Sequence, residues 1–503
     1  MLFNSFPFLF VFLPITYLGV FLLLRADRRT QAISFVVICS LFFYGYWRPS
    51  HLWVIVASLG FNYLFGNFLY VIKNRFQQKI ILCVGILFNL SLLGFFKYLG
   101  FFSDLLQATH SSDFFGIVVN TTLPIGISFY TFQQIAYLVD RYSSQGGPRY
   151  SLRDYAFFVT FFPQLIAGPI VSHNQIMPQL DHLVGRVQSP IYVSHFFIPG
   201  ISLLIMGLIK KILVADTFGN YSDQAFALSS MDNLTFLDAW GGATAYTMQI
   251  YFDFSGYSDM AIGMGLMFGI QLPLNFLSPY KARSIIDFWR RWHITLSSFL
   301  KNYVYIALGG NRRGSARRYL NLLITMALGG LWHGANLTFV FWGLTHGLLL
   351  VINHGIRRLC PWRTPAWIGV PITFFCIVLT WVAFRAENFS SMLNFYAVMF
   401  GAKGIVVPWS YYSVLALFGT LTDLMSVRAG NVVHFGGIQQ IIATILAMIV
   451  VFFTPSSMSL LNEPEKLKFA QSKYIPLGLG VLGTVAMLVM WTQANVTFLY
   501  FQF

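Results

Sequence analysis

Apolar runs of about 20 residues, the length that a helix needs to cross the hydrocarbon core of a bilayer, recur along nearly the whole chain. Of its 503 residues, 56% are hydrophobic and only 10% are charged, which leaves too little polar surface for a water-soluble fold. The pattern predicts an all-α polytopic membrane protein with residues 1–503 in a single domain. It excludes a disordered chain and a disulfide-stapled scaffold.

Candidate membrane segments follow one another from one terminus to the other. Several are short or interrupted by Gly and Pro, as in LPIGIS and IAGPI, which is typical of tilted or re-entrant helices buried inside a protein. The N-terminus has neither a basic region nor a small-residue cleavage site, so we interpret it as a retained first span. The apolar segments lie near residues 6–24, 31–47, 51–72, 80–99, 117–139, 155–170, 196–214, 239–252, 257–272, 319–338, 339–356, 366–384, 391–400 with 411–425, 438–455 and 475–492.

The excess of basic residues indicates topology. Subtracting 17 acidic from 32 basic side chains leaves a net charge of +15, and cytoplasmic loops of membrane proteins concentrate Lys and Arg. The first charged loop, 25–29, therefore predicts an external N-terminus, and we expect no nucleic-acid partner. Residues 281–318 carry nine basic side chains against one acidic side chain, Asp287. We expect this segment to form a cytoplasmic surface that an anionic cytosolic substrate approaches.

Several sequence motifs for metal, redox and nucleophilic chemistry are missing. The four cysteines form no CxxC pair, and the chain has no HExxH, no GxSxG elbow and no Walker A sequence. The sequence therefore predicts no metal and no bound cofactor. What remains is metal-free group transfer with histidine, which exchanges protons near neutral pH.

Polar residues interrupt the apolar run QIYFDFSGYSDMAIGMG, 249–265. Ionisable groups inside a membrane segment are costly, so each is a candidate functional residue. If the segment is helical, Gln249 and Asp253 share a face and can join one hydrogen-bond network. Together with Asp259 they form a predicted polar core. We favour a polar lock between helices, with close packing at Gly265 and Gly269.

A second cluster, 274–312, contains an aromatic and Arg-rich run that ends at His293. Guanidinium groups bind phosphates in a bidentate manner, so Arg290 and Arg291 can clamp an anionic donor. Beside Trp292 they can equally anchor the chain at the membrane interface. The residues by themselves leave both interpretations open.

A third cluster, 328–347, places His333 in the middle of an apolar run. Glycines at 329, 330 and 334 remove bulk around it, which lets another helix or a substrate approach the ring. A lone buried histidine is usually structural, but the presence of His293 and of a basic approach favours a functional role here. His346 lies thirteen residues beyond His333 and would not share its helical face, so we interpret it as structural.

Three blocks within these clusters resemble the membrane-bound O-acyltransferase (MBOAT) family. Within it they are similar to the bacterial branch that includes alginate O-acetylase, the membrane component of peptidoglycan O-acetylation and the D-alanyl transfer protein of teichoic acid modification. The specific motifs are concentrated in a catalytic core of about 120–350. The length and the extra C-terminal spans, 366–492, are more similar to the two acetylases than to the shorter D-alanyl protein. The blocks are YFDFSGYSDMAIG, NFLSPYKARSIIDFWRRWHITLSSFLKNYVYIALGGNR and GGLWHGANLTFVFWGLTHG.

The resemblance implies a ring of tilted transmembrane helices around a centre where a cytoplasmic tunnel meets an external funnel. His333 matches the family's catalytic histidine, and His293 matches its second polar position. We assign to His333 the base that takes a hydroxyl proton, and to His293 the orientation of the donor or the stabilisation of the oxyanion. The predicted donor-binding residues are Arg290, Arg291, Trp292 and Asn336.

The terminal hexapeptide FLYFQF, 498–503, resembles an aromatic C-terminal motif of this branch, in which a tyrosine receives the acyl group before a periplasmic partner collects it. We predict this role for Tyr500, because a phenyl ester has a better leaving group than an alkyl ester. The alternative is an aromatic belt that anchors the last helix at the membrane interface.

The function predicted from these features is that of a bacterial inner-membrane acyltransferase. It takes acetyl from a cytosolic donor, acetyl-CoA, for O-acetylation of an extracytoplasmic polysaccharide such as alginate. The expected partner is a periplasmic or membrane-anchored transferase of the SGNH type, since no serine-nucleophile motif for the final step is visible. Two alternatives remain. One is D-alanyl transfer from a carrier protein. The other, in a different class, is a proton-coupled transporter of the donor or the glycan, with His293 and His333 as a proton relay and with Asp253 and Asp259 as the carboxylates expected in such a transporter.

Overall fold

We describe the fold from a computed structural model, which covers residues 1–102, 122–144, 148–230, 233–359, 364–409, 412, 427–430, 435–462, 474–492 and 498–499. Nearly all regular structure in these ranges is helical. The strands found there are β1 (Ile405–Val407) and β2 (Val427–Ala429), which pair in parallel with Ile405 opposite Val427. The predicted all-α class is confirmed.

The helices are numbered in chain order. The first ten are α1 (Leu13–Arg25), α2 (Arg29–Gly45), α3 (Leu52–Val71), α4 (Arg75–Leu93), α5 (Ile127–Ser143), α6 (Leu152–Thr160), α7 (Phe162–Leu165), α8 (His173–Asp181), α9 (Leu183–Gln188) and α10 (Ile198–Ile209). The others are α11 (Asp216–Ala227), α12 (Phe236–Met267), α13 (Ile285–Trp289), α14 (Ile294–Phe299), α15 (Gly314–His333), α16 (Leu337–Leu359), α17 (Ala366–Arg385), α18 (Phe389–Met399), α19 (Gly437–Phe453), α20 (Ser457–Asn462) and α21 (Tyr474–Thr492). Wider π-helical turns lie at Pro7–Phe12, Gly94–Tyr98, Val193–Phe197, Lys210–Ala215 and Leu300–Tyr305, and 3₁₀ turns at Pro49–His51, Leu228–Ser230 and Pro279–Lys281.

Seven helical stretches in the described parts of the chain are long and apolar enough to cross a membrane. Two shorter apolar helices, α2 and α19, accompany them. The predicted polytopic character is therefore confirmed. The seven stretches are Pro7–Arg25, Pro49–Val71, Arg75–Phe102, Val193–Ala227, Leu337–Leu359, Ala366–Arg385 and Ile475–Thr492.

The chain divides into two compact units. The first comprises Met1–Leu208, Gly256–Asn275 and Ser457–Gln502, and the second comprises Ile209–Ser255 and Phe276–Ser456. Helix α12 contributes residues to each unit.

Close helix packing in the first unit depends on glycines of α10 and α12. A side chain added at Gly263 would collide with the carbonyl oxygen of Gly200, and one added at Gly207 would collide with that of Gly256. Small residues of this kind let two helix backbones approach closely. The prediction that Gly265 and Gly269 do this was wrong. Gly269 lies beyond the end of α12 with φ +76°, and Gly265 packs under the chain that returns at 270–272.

The polar run 249–265 is helical, as its proposed geometry requires. The apolar stretches 239–252 and 257–272, identified separately in the sequence, lie largely in the single 32-residue helix α12. In contrast, 155–170 is broken into α6, α7 and irregular backbone, which agrees with the expectation of an interrupted segment there.

In the second unit, α15 and α16 pack against each other in antiparallel directions. A side chain at Gly330 would collide with the carbonyl oxygen of Phe339, and a side chain at Gly343 would collide with that of Met326. At Gly347 the nearest neighbours are Leu323 and Met326. The glycines near His333 therefore admit another helix, and this close pairing positions the candidate active site.

Candidate active site

His333 is the last residue of α15 and is almost fully enclosed by aromatic side chains. The helix ends there because Gly334 adopts extended backbone, with φ −162° and ψ 150°. Only 5% of His333 is exposed. The ring centre of His333 lies 4.9 Å from that of Trp332, 5.2 Å from Trp342 and 5.1 Å from Phe384. Such a cage fixes the imidazole and excludes bulk water from its faces.

His293 is a neighbour of His333 in space, although forty residues separate them in the sequence. The two ring centres are 6.4 Å apart. His293 caps α14 with a left-handed backbone, φ 42° and ψ 55°, a conformation that costs energy for residues other than glycine and is found at functional sites. The edge of its ring also meets Phe254, with centres 4.8 Å apart. Both imidazoles can therefore address one reacting group.

The protonation state of His293 follows from its burial. Only 1% of the residue is exposed, and it lies outside the apolar spans of the fold. Burial disfavours the charged form and lowers the pKa of His293 from 6.5 to about 3. The ring is therefore neutral at physiological pH, and it offers one N–H donor and one nitrogen acceptor rather than a positive charge.

A cavity of about 580 Å³ lies within the second unit, and Ile294, the residue after His293 in the chain, is part of its wall. This volume lies in the range of small-molecule sites, which is about 300–1,000 Å³. Its wall includes the basic side chains of Arg290, Lys301, Arg318 and His354 together with apolar ones. The full lining is Ile286, Trp289, Arg290, Ile294, Ser297, Ser298, Leu300, Lys301, Tyr305, Asn311, Arg318, Leu322, Thr325, Met326, Leu350 and His354.

The cavity runs alongside α15 and α16 towards His333. On α15 the lining residues extend from Arg318 to Met326, about 12 Å at 1.5 Å per residue. His333 lies about 10 Å further along the same helix. On α16, which runs the other way, His354 and Leu350 line the cavity, and the chain continues towards Trp342 beside His333. Arg318 and His354 therefore lie at the end of the cavity farther from the His333 cage, and Met326 and Leu350 lie at the nearer end.

Arg290 and Arg291, which the sequence could not distinguish as donor-binding residues, have different surroundings in the structure. Arg290 lines the cavity. Arg291 forms an ion pair with Asp287, with Nε 2.9 Å from Oδ1, and also donates to the carbonyl oxygen of Leu277 at 3.4 Å. Of these two, only Arg290 is placed where it can meet a ligand in this cavity.

Trp292 and Asn336, the other predicted donor-binding residues, lie away from the cavity wall. Trp292 is buried among rings, with centres 4.9 Å from Trp381 and 5.0 Å from Phe276. The Oδ1 atom of Asn336 accepts from the backbone N–H of Thr338 at 3.0 Å, and its amide donates to the carbonyl oxygen of Glu387 at 2.7 Å. These contacts shape the start of α16, and the donor-binding role of both residues stays a prediction.

The polar residues of α12 make defined contacts within their own units. Asp253 accepts from Lys211, with Oδ1 and Nζ 2.7 Å apart, and Lys211 is also 2.7 Å from Asp216. Gln249 lies against Gly219 of α11. These contacts are those of a polar lock between helices. The sequence analysis missed Lys211, although a Lys–Lys pair inside the apolar stretch 196–214 is a signal of the same kind.

Asp259 belongs to the first unit, where it accepts from the hydroxyl of Ser457 at 2.7 Å. The contacts of Asp253 and Asp259 are thus made within different units, and the polar core stays a prediction.

The C-terminal segment is described at Phe498 and Leu499, and Tyr500 lies outside the described residues. Phe498 is 1% exposed, and its ring meets Tyr257 of the first unit, with centres 4.9 Å apart. Leu499 is also buried. These two residues are therefore covered by protein, whereas the residues of an interfacial belt would be exposed.

His346 lies closer to the site than the sequence analysis implied. The comparison of helical faces assumed one continuous helix, but α15 ends at His333 and α16 begins at Leu337. That argument was wrong because the break at Gly334 turns the chain back. Trp342 packs against both histidines, with ring centres 5.2 Å from His333 and 4.8 Å from His346.

Within the described parts of the chain, no three His, Cys, Asp or Glu side chains gather as metal ligands.

Comparisons with known proteins agree with the motifs. The family model for MBOAT, the membrane-bound O-acyltransferase family, matches residues 81–393. "Peptidoglycan O-acetyltransferase" of Helicobacter pylori is 41% identical over 80% of this chain and 81% of its own length. "Probable alginate O-acetylase AlgI" of Pseudomonas aeruginosa is 42% identical over 90% of this chain and 81% of its own. "Teichoic acid D-alanyltransferase" of Streptococcus thermophilus is 26% identical over 52% of this chain and 68% of its own.

Proposed function

The chain belongs to the membrane-bound O-acyltransferase family and is therefore a multi-pass membrane acyltransferase, and from this premise we propose that it O-acetylates an extracytoplasmic polysaccharide. Two relatives about 40% identical carry names that denote peptidoglycan and alginate acetylation. The observation that carries the proposal is the ligand-sized cavity that lies along α15 and α16, the helices that position His333 and its neighbour Trp342. The expected location is the bacterial inner membrane.

The proposed donor is acetyl-CoA, which reaches the cavity from the cytoplasm. Its phosphates would lie near Arg290, Lys301 and Arg318, since guanidinium and ammonium groups favour phosphate. Its acetyl thioester would lie at the apolar end, which is closer to His333. The basic segment 281–318, which supplies these three residues, supports entry from the cytoplasmic side.

The proposed chemistry uses the two histidines and no bound cofactor. His333 accepts the proton of an acceptor hydroxyl as that oxygen attacks the thioester carbonyl. The neutral His293 donates its N–H to the developing oxyanion, or orients the donor. The C–S bond then breaks while the new C–O bond remains, and His333 returns the proton to the departing thiolate. The products are an acyl ester and a free thiol, so charges and protons balance.

The proposed acceptor within the chain is the phenol of Tyr500. The burial of Phe498 and Leu499 supports this role over an interfacial belt, because it indicates that the protein holds the segment just before Tyr500. The partner would be a periplasmic or membrane-anchored transferase of the SGNH type that takes the acetyl from Tyr500 to the polysaccharide. The sequence has no GxSxG motif for such a step.

Of the two alternative functions, D-alanyl transfer is retained and the transporter is not. D-alanyl transfer from a carrier protein keeps the same chemistry and has support from a relative named teichoic acid D-alanyltransferase at 26% identity. The transporter alternative is not retained, because the chain is an acyltransferase by family. The carboxylates on which it rested, Asp253 and Asp259, bind Lys211 and Ser457.

The test is transfer of radiolabelled acetyl from acetyl-CoA to the purified full-length protein. We expect label on the wild type, a loss of at least about 100-fold in His333→Ala because general-base catalysis is removed, and no label in Tyr500→Phe. His195→Ala, which changes an exposed histidine of the first unit, is the matched control and should label as the wild type does. Absence of both label and thioester cleavage in the wild type would refute acetyl-CoA as donor, and parallel D-alanyl and carrier-protein thioesters identify the replacement.

A further inference from the structure

Trp289 stands where the cavity meets the aromatic cage of His333. It lines the cavity, and its ring also contacts Trp342, with centres 5.9 Å apart. Trp342 in turn packs against His333 at 5.2 Å. Trp289 therefore connects the cavity wall to the aromatic cage of His333.

The indole of Trp289 is held in place by His346. Its Nε1–H donates to Nδ1 of His346, with the nitrogens 3.3 Å apart, and the two ring centres are 5.2 Å apart. Because Nδ1 is the acceptor, His346 is the neutral tautomer that carries its proton on Nε2. His346 is fully buried and is itself packed against Trp342 at 4.8 Å. The bond and the packing fix the orientation of the indole.

The neighbours of Trp289 at this end of the cavity are bulky and apolar. Leu350 and Met326 line the same region from α16 and α15. One helical turn beyond Leu350 is His346, so the wall behind Trp289 is closed by a buried ring. A rigid aromatic wall at the reactive end of a donor site limits the length of the group that is carried there.

We propose that Trp289, held by His346, restricts the acyl group of the donor to a short chain. The proposal rests on the proposed function, since it concerns the acyl end of the thioester in the same cavity. It makes Trp289 a specificity-determining residue and His346 a positioning residue that acts through Trp289. His346 is thereby more than the structural residue that the sequence indicated.

The test measures chain-length preference in purified full-length protein with S-acyl-phosphopantetheine thioesters of two, four and six carbons. These probes contain the arm that CoA and acyl carrier proteins share. Binding and thioester cleavage are both measured, and the readout is the ratio of four-carbon to two-carbon rates within each variant. We expect the wild type to favour two carbons and Trp289→Ala to raise the ratio about 15-fold, because space for two methylenes becomes available. Trp289→Leu, a smaller change, should raise it less.

Matched variants separate the specific effect from general loosening. Leu322→Ala also enlarges the cavity. Leu322 lies on α15 one turn before Met326, on the side of Arg318, and is not part of the Trp289–His346 pair. This substitution should leave the ratio of four-carbon to two-carbon rates unchanged. His346→Phe removes the acceptor and keeps a ring, so it should shift the ratio in the same direction as Trp289→Ala. His346→Gln restores an acceptor and should return the ratio towards the wild-type value.

The possible outcomes distinguish failure of the chain-length proposal from failure of the proposed function. If the wild type cleaves the two-carbon probe and neither Trp289 variant changes the ratio, the chain-length proposal is overturned and the proposed function stands. The same holds if Leu322→Ala shifts the ratio as much as Trp289→Ala. If the wild type neither binds nor cleaves any of the probes, the thioester donor itself is refuted, and the proposal for Trp289 falls with it.

Discussion

The buried contact of Lys211 with two carboxylates makes a sharp prediction about charge balance. Its Nζ atom is 2.7 Å from Asp216 and 2.7 Å from Asp253, and only 1% of the Lys211 side chain is exposed. One positive charge thus faces two negative ones. Removing the ammonium should cost far more than removing one carboxylate, because an unpaired buried charge carries the full desolvation penalty.

The expected losses of stability follow from the ratio of one ammonium to two carboxylates. Lys211→Met removes the ammonium from both carboxylates, and loss of a buried ion-pair partner costs about 3–5 kcal/mol. Asp253→Asn leaves Lys211 and Asp216 as a one-to-one pair, and the new amide oxygen still accepts from the ammonium, so we expect a cost of about 1 kcal/mol. The double variant leaves Asp216 alone and should be intermediate.

Thermal unfolding in detergent, followed by tryptophan fluorescence, gives the order of stability. Thioester cleavage is measured in parallel. The polar-lock role predicts that Asp253→Asn keeps cleavage near the wild-type rate. The reasoning is refuted if Lys211→Met is no less stable than Asp253→Asn. A folded Asp253→Asn protein that has lost cleavage would instead place Asp253 in the mechanism.

Two further predictions concern the site and its supporting helices. The pKa of His293, lowered by burial to about 3 from the usual 6.5, means that its neutral form stabilises the fold above pH 6.5 and that this contribution is lost as the pH falls. Between pH 6.5 and 5 the wild type should therefore lose about 2 kcal/mol more stability than His293→Asn, and parallel pH profiles of the two melting temperatures would contradict the assignment. Gly343→Ala should force α15 and α16 apart and abolish thioester cleavage, whereas Gly355→Ala on the same helix, with open space around it, should be silent. Equal activity of these two glycine variants would show that the close approach of the helices is not needed.

The outcome at two neighbouring arginines shows what a local pattern can and cannot decide. Both Arg290 and Arg291 follow an aromatic run with the same chemistry, and the sequence left them equivalent. The chain turns immediately after α13 and sends Arg290 to the cavity and Arg291 to Asp287. The direction of a side chain after a short helix depends on that turn, and the identities of the residues carry little information about it.

His346 shows where an argument from helical periodicity fails. Helical periodicity is reliable only inside one helix, and it was applied across the break at Gly334. A single glycine in extended backbone returned the chain as α16 and brought His346 to Trp342. The signal that could have warned of the break is the Gly334-Ala335-Asn336 sequence, since glycine commonly ends helices and asparagine commonly caps the next.

By itself, the sequence determined the all-α membrane class and the family, because long apolar runs and dense motifs report local chemistry, and it predicted His293 and His333 as site residues. Tertiary structure alone decided that His293 and His333 are neighbours, that Lys211 pairs with Asp253, and that Trp289 both lines the cavity and contacts Trp342. Each of these contacts joins residues that are far apart in the chain. Their distance is set by how whole helices pack, and glycines such as Gly330 and Gly343 permit that packing without revealing in the sequence which helix will approach them.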